Sequence, residues 1–326
     1  MRLSSVLNKM PILILSPHSR CNCRCVMCDI WKVTDAIEIG AEDLQRHAGD
    51  MERLGVEWVV FTGGEPLMHS DLFRLCRILR EREIRVSVLS TGLLLERYAA
   101  AIVANVDDVI VSLDGPQEVH DQIRRVPGAF GMLQGGVRAI QRLKPDFPVT
   151  ARCTIQHSNC TRLRDTVSAA RELGLRSISF LAADLTSTAF NRPDGWPPER
   201  AAGVALSLED LAGLEREVEA LIDAQECGAF VVESPEKLRR IVRHFRGGAV
   251  APLCNAPWVS AVVESDGVVR PCFFHPPIGR LDANTSLLDV INGKRAVAFR
   301  AALEVASDPV CRRCVCSLNY GVPTPI

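Results

Sequence analysis

Short apolar runs alternate along this chain with longer amphipathic stretches. The runs Ile12–Ser16, Trp58–Thr62, Arg85–Ser90, Asp108–Ser112, Thr150–Ile155 and Ser177–Leu181 read as strands. Between them, apolar residues recur at helical spacing near Ala41–Leu54, Asp71–Glu83, Leu95–Asn105, Ala129–Leu143 and Arg162–Leu173. Ser70 stands where an N-cap belongs, and Gly174 where a C-cap belongs. Alternation of this kind predicts parallel βαβ units, and right-handed crossovers wind them into an open or partly closed barrel. The rhythm stops near Ala183. Asn191–Pro198, with three prolines and a glycine, reads as a loop. Leu206–Ala224 is a strong helical pattern, with Ser207 and Asp210 spaced as a capping box.

A chain of 326 residues with 47% hydrophobic content can bury a large core. Its net charge of −1 offers no basic face, so nothing points to nucleic acid. The run Pro11–Ser16 is too short for a membrane span or a signal segment, so a cytoplasmic, membrane-free protein is expected. Thirteen cysteines are many for a reducing compartment, where clustered thiols serve more often as metal ligands than as disulfides. Four lie between residues 21 and 28 and five lie at or beyond residue 254. Cys76, Cys153, Cys160 and Cys227 are scattered and read as small buried hydrophobes.

Cys21, Cys25 and Cys28 give Cys-x3-Cys-x2-Cys in the loop after the first strand, the end of a parallel sheet where sites assemble. Three thiolates on a [4Fe–4S] cube leave one iron open to a small ligand. The competing reading is structural zinc, which wants four closed ligands, usually as two separated pairs. Cys23 lies inside the motif and reads as a bystander. One βα unit later, Gly63-Gly64-Glu65-Pro66 ends the second strand. Ser90-Thr91-Gly92 ends the third, and Val111-Ser112-Leu113-Asp114-Gly115 ends the fourth, followed by His120-Asp121 and Arg124.

In combination these segments resemble the radical S-adenosylmethionine (SAM) superfamily over roughly residues 10–185. The resemblance implies an α/β fold, a partial (β/α)6 barrel with a small C-terminal α+β auxiliary iron–sulfur domain. The expected division is 1–233 and 234–326. It further implies that Cys21, Cys25 and Cys28 hold a SAM-binding [4Fe–4S] cluster, and that Gly63, Gly64, Glu65 and Pro66 meet the cofactor's amino group, carboxylate against ammonium. Thr91 belongs to the polar third-strand end. Ser112 takes the ribose, with Asp114 as a second polar contact or a loop cap. Ile155 meets adenine through its backbone, and Arg152 is a candidate for the cofactor carboxylate or simply a solvated edge residue. The residue before the third cysteine is usually aromatic in this family; here it is Met27, apolar and polarizable enough to pack on adenine.

Cys254 is followed by twelve residues, Gly267, four residues and Cys272. Val259–Glu264 and Val268–Arg270 flank an Asp266-Gly267 turn and read as a hairpin. Cys311 and Cys314 supply a Cys-x2-Cys pair, and Cys316 is a possible substitute for either. Spacing alone leaves zinc and iron–sulfur even. The Cys-x12-Gly-x4-Cys element resembles the opening of the family's auxiliary-cluster (SPASM) module in its shortened, one-cluster (twitch-like) form, which implies a second [4Fe–4S] cluster on Cys254, Cys272, Cys311 and Cys314.

The resemblance thus implies an oxidoreductase in natural-product or cofactor biosynthesis, fed by a flavodoxin- or ferredoxin-type electron donor. It forms a 5′-deoxyadenosyl radical and removes hydrogen from a substrate carbon inside the barrel, under the C-terminal module. A fully ligated second cluster favours oxidation of a polar small molecule such as a sugar or cyclitol. The alternative is peptide modification, by maturation or epimerisation, against which stand the mere 20 residues before Cys21. A non-catalytic metal-binding protein is the remote third reading. The substrate and any hydrogen-donor residue are not legible.

Overall fold

The computed structural model describes residues 4–192, 195–248, 252–314 and 316–321. Six strands follow the expected runs: β1 Ile12–Leu15, β2 Trp58–Phe61, β3 Arg85–Ser90, β4 Asp108–Ser112, β5 Val149–Ile155 and β6 Ile178–Ala182. They are rich in β-branched and other apolar residues, pair in parallel in sequence order, and lie between helices and an inner face, as a curved α/β sheet requires. This is the open (β/α)6 arrangement.

Three further strands extend the sheet. β7 Ser260–Val263 pairs in parallel with β1, in the register Ile12↔Ser260 to Leu15↔Val263. β8 Val268–Arg270 returns antiparallel through the expected turn, with Gly267 at φ +86°, and β9 Gly279–Arg280 adds an edge. One nine-stranded sheet therefore crosses residue 234, and β1 lies inside it with neighbours on both sides.

Several local expectations shift. Ala41–Leu54 is two short helices, Ala41–Arg46 and Ala48–Arg53, broken at His47. Asp71, not Ser70, precedes helix Leu72–Arg80, because Ser70 spends its hydroxyl and amide on the Glu38 carboxylate. The capping box at helix Leu208–Asp223 is present, with the Ser207 amide 2.8 Å from Asp210 Oδ2 and the Asp210 amide 3.1 Å from Ser207 Oγ. Helices Gln117–Arg124, Pro235–Phe245 and Lys294–Ala302 are not legible from apolar spacing. Of the proline-rich loop, Pro193 and Asp194 lie outside the described residues, as do residues 322–326 of the tail. Arg192 in that loop is buried, not solvated. It donates to the Ala189 and Asp184 carbonyls, both at 2.8 Å, and pairs with the Asp184 carboxylate at 2.5 Å.

Candidate active site at the two ends of the sheet

The loop after β1 is pinned from three sides. The Arg24 and Val26 amides donate to the Arg124 and Ile123 carbonyls, both at 3.0 Å, using the carbonyls that helix Gln117–Arg124 leaves free at its end. Thr91 Oγ1 donates to Asn22 Oδ1 at 3.0 Å. The Glu65 amide donates to the Arg20 carbonyl at 2.9 Å. Gly64 permits that last contact, since a Cβ there would overlap the Arg20 carbonyl outright. Gly63 has φ +94°, and its Cβ would stand 2.6 Å from Ser16 Cβ. The two glycines therefore dock the second strand's loop onto the cysteine loop.

The thiols suit a metal cluster. The Ile30 amide donates to Cys28 Sγ and Arg124 Nη1 to Cys25 Sγ, both at 3.4 Å. Cys25 is held below the ordinary thiol range by a hydrogen bond from Cys23 and by the Arg124 charge. Cys23 is buried beside Cys25. Burial pushes Cys21 and Cys28 up to about 12, so both need a metal to give up their protons.

The other expected cofactor contacts divide. Glu65 is fully buried and turned inward. Its carboxylate accepts from the Leu67 amide at 3.0 Å, the Ser90 hydroxyl at 3.0 Å and the Thr91 amide at 2.6 Å, while burial raises its pKa. It fastens the end of β2 to β3. Pro66 is buried at the start of a short 3-10 turn. Asp114 is also fully buried. It pairs with Arg124 Nη2 at 2.5 Å and accepts from the Thr154 amide at 2.9 Å. The Ile155 carbonyl accepts from the Ala183 amide at 2.9 Å. Met27 is half-buried, with Sδ 3.7 Å from Gln156 Nε2 at the end of β5. Ser112 is half-buried at the end of β4.

The C-terminal cysteines gather elsewhere. Cys254, Cys272, Cys311, Cys314 and Cys316 line one cavity of about 220 Å³. Burial pushes Cys272 up to about 11 and raises Cys254, while the backbone amides of Phe274 and His275 and of Ala256 and Leu318 near them favour the thiolate. Cys311 lies 3.4 Å from His275 Nε2 and, largely by burial, is pushed up to about 12. Sulfurs served by amide donors fit thiolates on an iron–sulfur cluster. Cys316 is exposed.

Register fixes where this group lies. Cys21–Cys28 follow the C-terminal end of β1, whereas Cys254 precedes β7, which runs parallel to β1. The two cysteine groups are therefore at opposite ends of the sheet. The C-terminal module closes the N-terminal end of the strands, a different position from the cover over the radical site that the sequence predicts. The cavity lined by the C-terminal cysteines takes the rest of its wall from alternate strand residues, among them Ile12, Ile14, Trp58, Val60, Leu89 and Ile110. Arg152 is the arginine on that wall. It is exposed, and among the described residues its Nε reaches Ser179 Oγ at 3.3 Å.

Comparison with known proteins speaks to the family. The radical SAM superfamily profile matches residues 15–180, and that of the SPASM iron–sulfur cluster-binding domain matches residues 254–315. An AdoMet-dependent heme synthase of Methanosarcina barkeri is 30% identical over 159 residues, covering 47% of this chain and 45% of that one. The chain thus spans under half the length of the curated relatives it matches first. Streptococcus suis SuiB bound to S-adenosylmethionine superposes with TM-score 0.69 at 16% identity, over 95% of this chain and 73% of that one. BtrN in complex with AdoMet and 2-DOIA superposes with TM-score 0.50 at 15% identity, over 98% of both. At those identities the two structures speak to the fold. Three spaced thiols at the strand ends, inside a profile that spans half of the chain, place this protein in the radical SAM superfamily, with a SPASM iron–sulfur region at the far end of its sheet.

Proposed function

We propose that this radical SAM enzyme oxidises its substrate by removing hydrogen from carbon inside the lumen and passing the second electron to the C-terminal site. The observation that carries the reading is the placement of the two cysteine groups at opposite ends of one cavity-bearing sheet. β1 has four residues, so the ends are separated by on the order of 13 Å along the strands, room for one small substrate between them. Cys21, Cys25 and Cys28 would hold the cluster at which one-electron reduction of bound S-adenosylmethionine would give methionine and the hydrogen-abstracting 5′-deoxyadenosyl radical, and the C-terminal cysteines would hold the group that takes up the electron the substrate radical gives up with a proton. The chain itself excludes water with the apolar strand faces and offers Arg152 as the anchor for an anionic group.

This lining bears on substrate class. A sugar or cyclitol carries hydroxyls on every side, and the lumen wall offers them few partners. A molecule with an apolar body and a carboxylate or phosphate fits better. A peptide side chain entering the lumen is the second reading; it is favoured by the same apolar wall and by the likeness to SuiB, which has also been solved with its precursor peptide SuiA.

The test is anaerobic reconstitution of wild type, a Cys21/Cys25/Cys28→Ala variant and a Cys254/Cys272→Ala variant. Wild type is expected to hold about eight irons and each variant about four. With dithionite, the C-terminal variant should still form 5′-deoxyadenosine while losing oxidised product. Full product yield from that variant would remove the electron-acceptor role. Arg152→Ala should raise KM for an anionic substrate at least about tenfold, the loss of one charge-assisted contact, with a smaller change in kcat.

A further inference from the structure

Arg124 belongs to the run after the fourth strand that the cofactor assignments leave without a task. It is buried between two groups of opposite fate: Nη1 donates to Cys25 Sγ at 3.4 Å, and Nη2 pairs with Asp114 Oδ2 at 2.5 Å. Asp114 is itself fastened to β5 through the Thr154 amide, and its own amide donates to His120 Nδ1 at 3.3 Å. A sulfur ligand of the first cluster site is thus tied to the far side of the sheet through one guanidinium. Such a charge has little solvent to screen it. Hydrogen bonds to cluster sulfurs and nearby net charge are the protein's means of setting a cluster's potential.

We infer that Arg124 is a positioning residue that tunes the SAM-binding cluster: it fixes Cys25 and, by its charge and its N–H to that sulfur, makes the cluster easier to reduce, while Asp114 limits the effect. The step concerned is the transfer of one electron from the external donor to the oxidised cluster, with no bond made or broken in the protein. Because Arg124 and Asp114 act with opposite sign, their substitutions should move the potential in opposite directions, which a merely structural strut would not do.

The experiment is an EPR-monitored redox titration of the reconstituted enzyme, without substrate. The signal absent from Cys21/Cys25/Cys28→Ala protein identifies the cluster concerned. The paired variant Arg124→Met/Asp114→Asn removes the hydrogen bond and both charges without stranding a buried carboxylate. Its reduced fraction at a fixed potential near the wild-type midpoint should correspond to an equilibrium constant about tenfold lower, or about 59 mV for one electron. Asp114→Asn alone, with Arg124 retained, should shift the constant the other way by about threefold or more. Arg124→Lys keeps the charge but not the fork and should fall between wild type and the double variant. Iron content is measured on each. Midpoints unchanged within about twofold in fully loaded variants would overturn the inference. So would loss of this cluster's iron from all three, which would make Arg124 a strut for the loop and nothing more.

Discussion

Gly64→Ala tests how the cysteine loop is held. The new methyl group would overlap the Arg20 carbonyl, a backbone atom that cannot swing aside. Either the loop at residue 20 or the end of β2 must move. Overpacking of this kind costs about 1–3 kcal/mol. The hydrogen bond that the Glu65 amide donates to the Arg20 carbonyl, 2.9 Å long, is stretched with it, adding about 1 kcal/mol. The sum is about 2–4 kcal/mol, a large part of the roughly 5–15 kcal/mol that holds an ordinary domain folded. At about 2–3 °C per kcal/mol for a long chain, the apo-protein should lose about 4–12 °C in Tm. The displaced segment carries Cys21, so the variant should also reconstitute with fewer irons, falling from about eight toward about four. Gly131→Ala is the matched control. It lies in helix Ala129–Leu143, where an added methyl would meet no atom within 4 Å, and should gain about 0.5–1 kcal/mol. A Gly64→Ala protein with wild-type Tm and full iron would refute the docking role of that glycine.

Other outcomes follow from the same structure. Burial, helped by the Arg124 charge, lowers His120 to about 3, against about 6.5 in an unfolded chain. The stability this confers is complete above about pH 6.5 and is lost as pH falls toward about 3, because only the unfolded chain then takes up the proton. Urea unfolding should therefore lose up to about 2 kcal/mol from this group between about pH 6.5 and 5, and His120→Gln should flatten that slope; an identical slope would dismiss the assignment. Ser207→Ala breaks the capping box of helix Leu208–Asp223 and should cost about 1 kcal/mol, read as a Tm decrease with iron content untouched. Arg192→Met removes the cation beside the Asp184 carboxylate, which keeps the Thr186 and Ser187 amides and the Ser187 hydroxyl as donors, and should cost about 1–3 kcal/mol in a denaturation assay; an unchanged midpoint would dismiss the pair.

Legibility from sequence follows the range of the interaction. β3 and β4 are found to the residue, because Val and Ile runs bounded by polar ends carry their own signal. The Ser207 cap is found because both partners lie within one turn. Gln117–Arg124 escapes because its buried face is His120, Ile123 and Arg124, two of them polar, and apolar periodicity does not register a helix that buries charge. The three spaced cysteines are legible as candidate ligands. Asp114 and Glu65 are legible as polar strand-end residues, but their direction is not: Asp114 is held by the Thr154 amide, 40 residues on, and Glu65 by the Thr91 amide, 26 residues on. That Cys23 is buried beside Cys25 is a matter of how the loop packs, which spacing does not reveal. The position of the C-terminal cysteines rests on the β1–β7 register, in which Ile12 pairs with Ser260, and no local pattern announces so distant a pairing.

That pairing also decides what can be taken apart. In a six-stranded sheet ending at β1, the strand that leads into the cysteine loop would be an edge, with a row of unpaired amides and carbonyls and the apolar sequence ILIL. Such an edge invites pairing with another chain. β7 covers it, and the sheet then continues to β9, only two residues long. The C-terminal region is therefore a solubility device as well as a metal site. A chain cut at residue 248 should aggregate through β1 before it could be asked whether its first cluster works alone, so point substitutions, not truncations, are the means to separate the two halves.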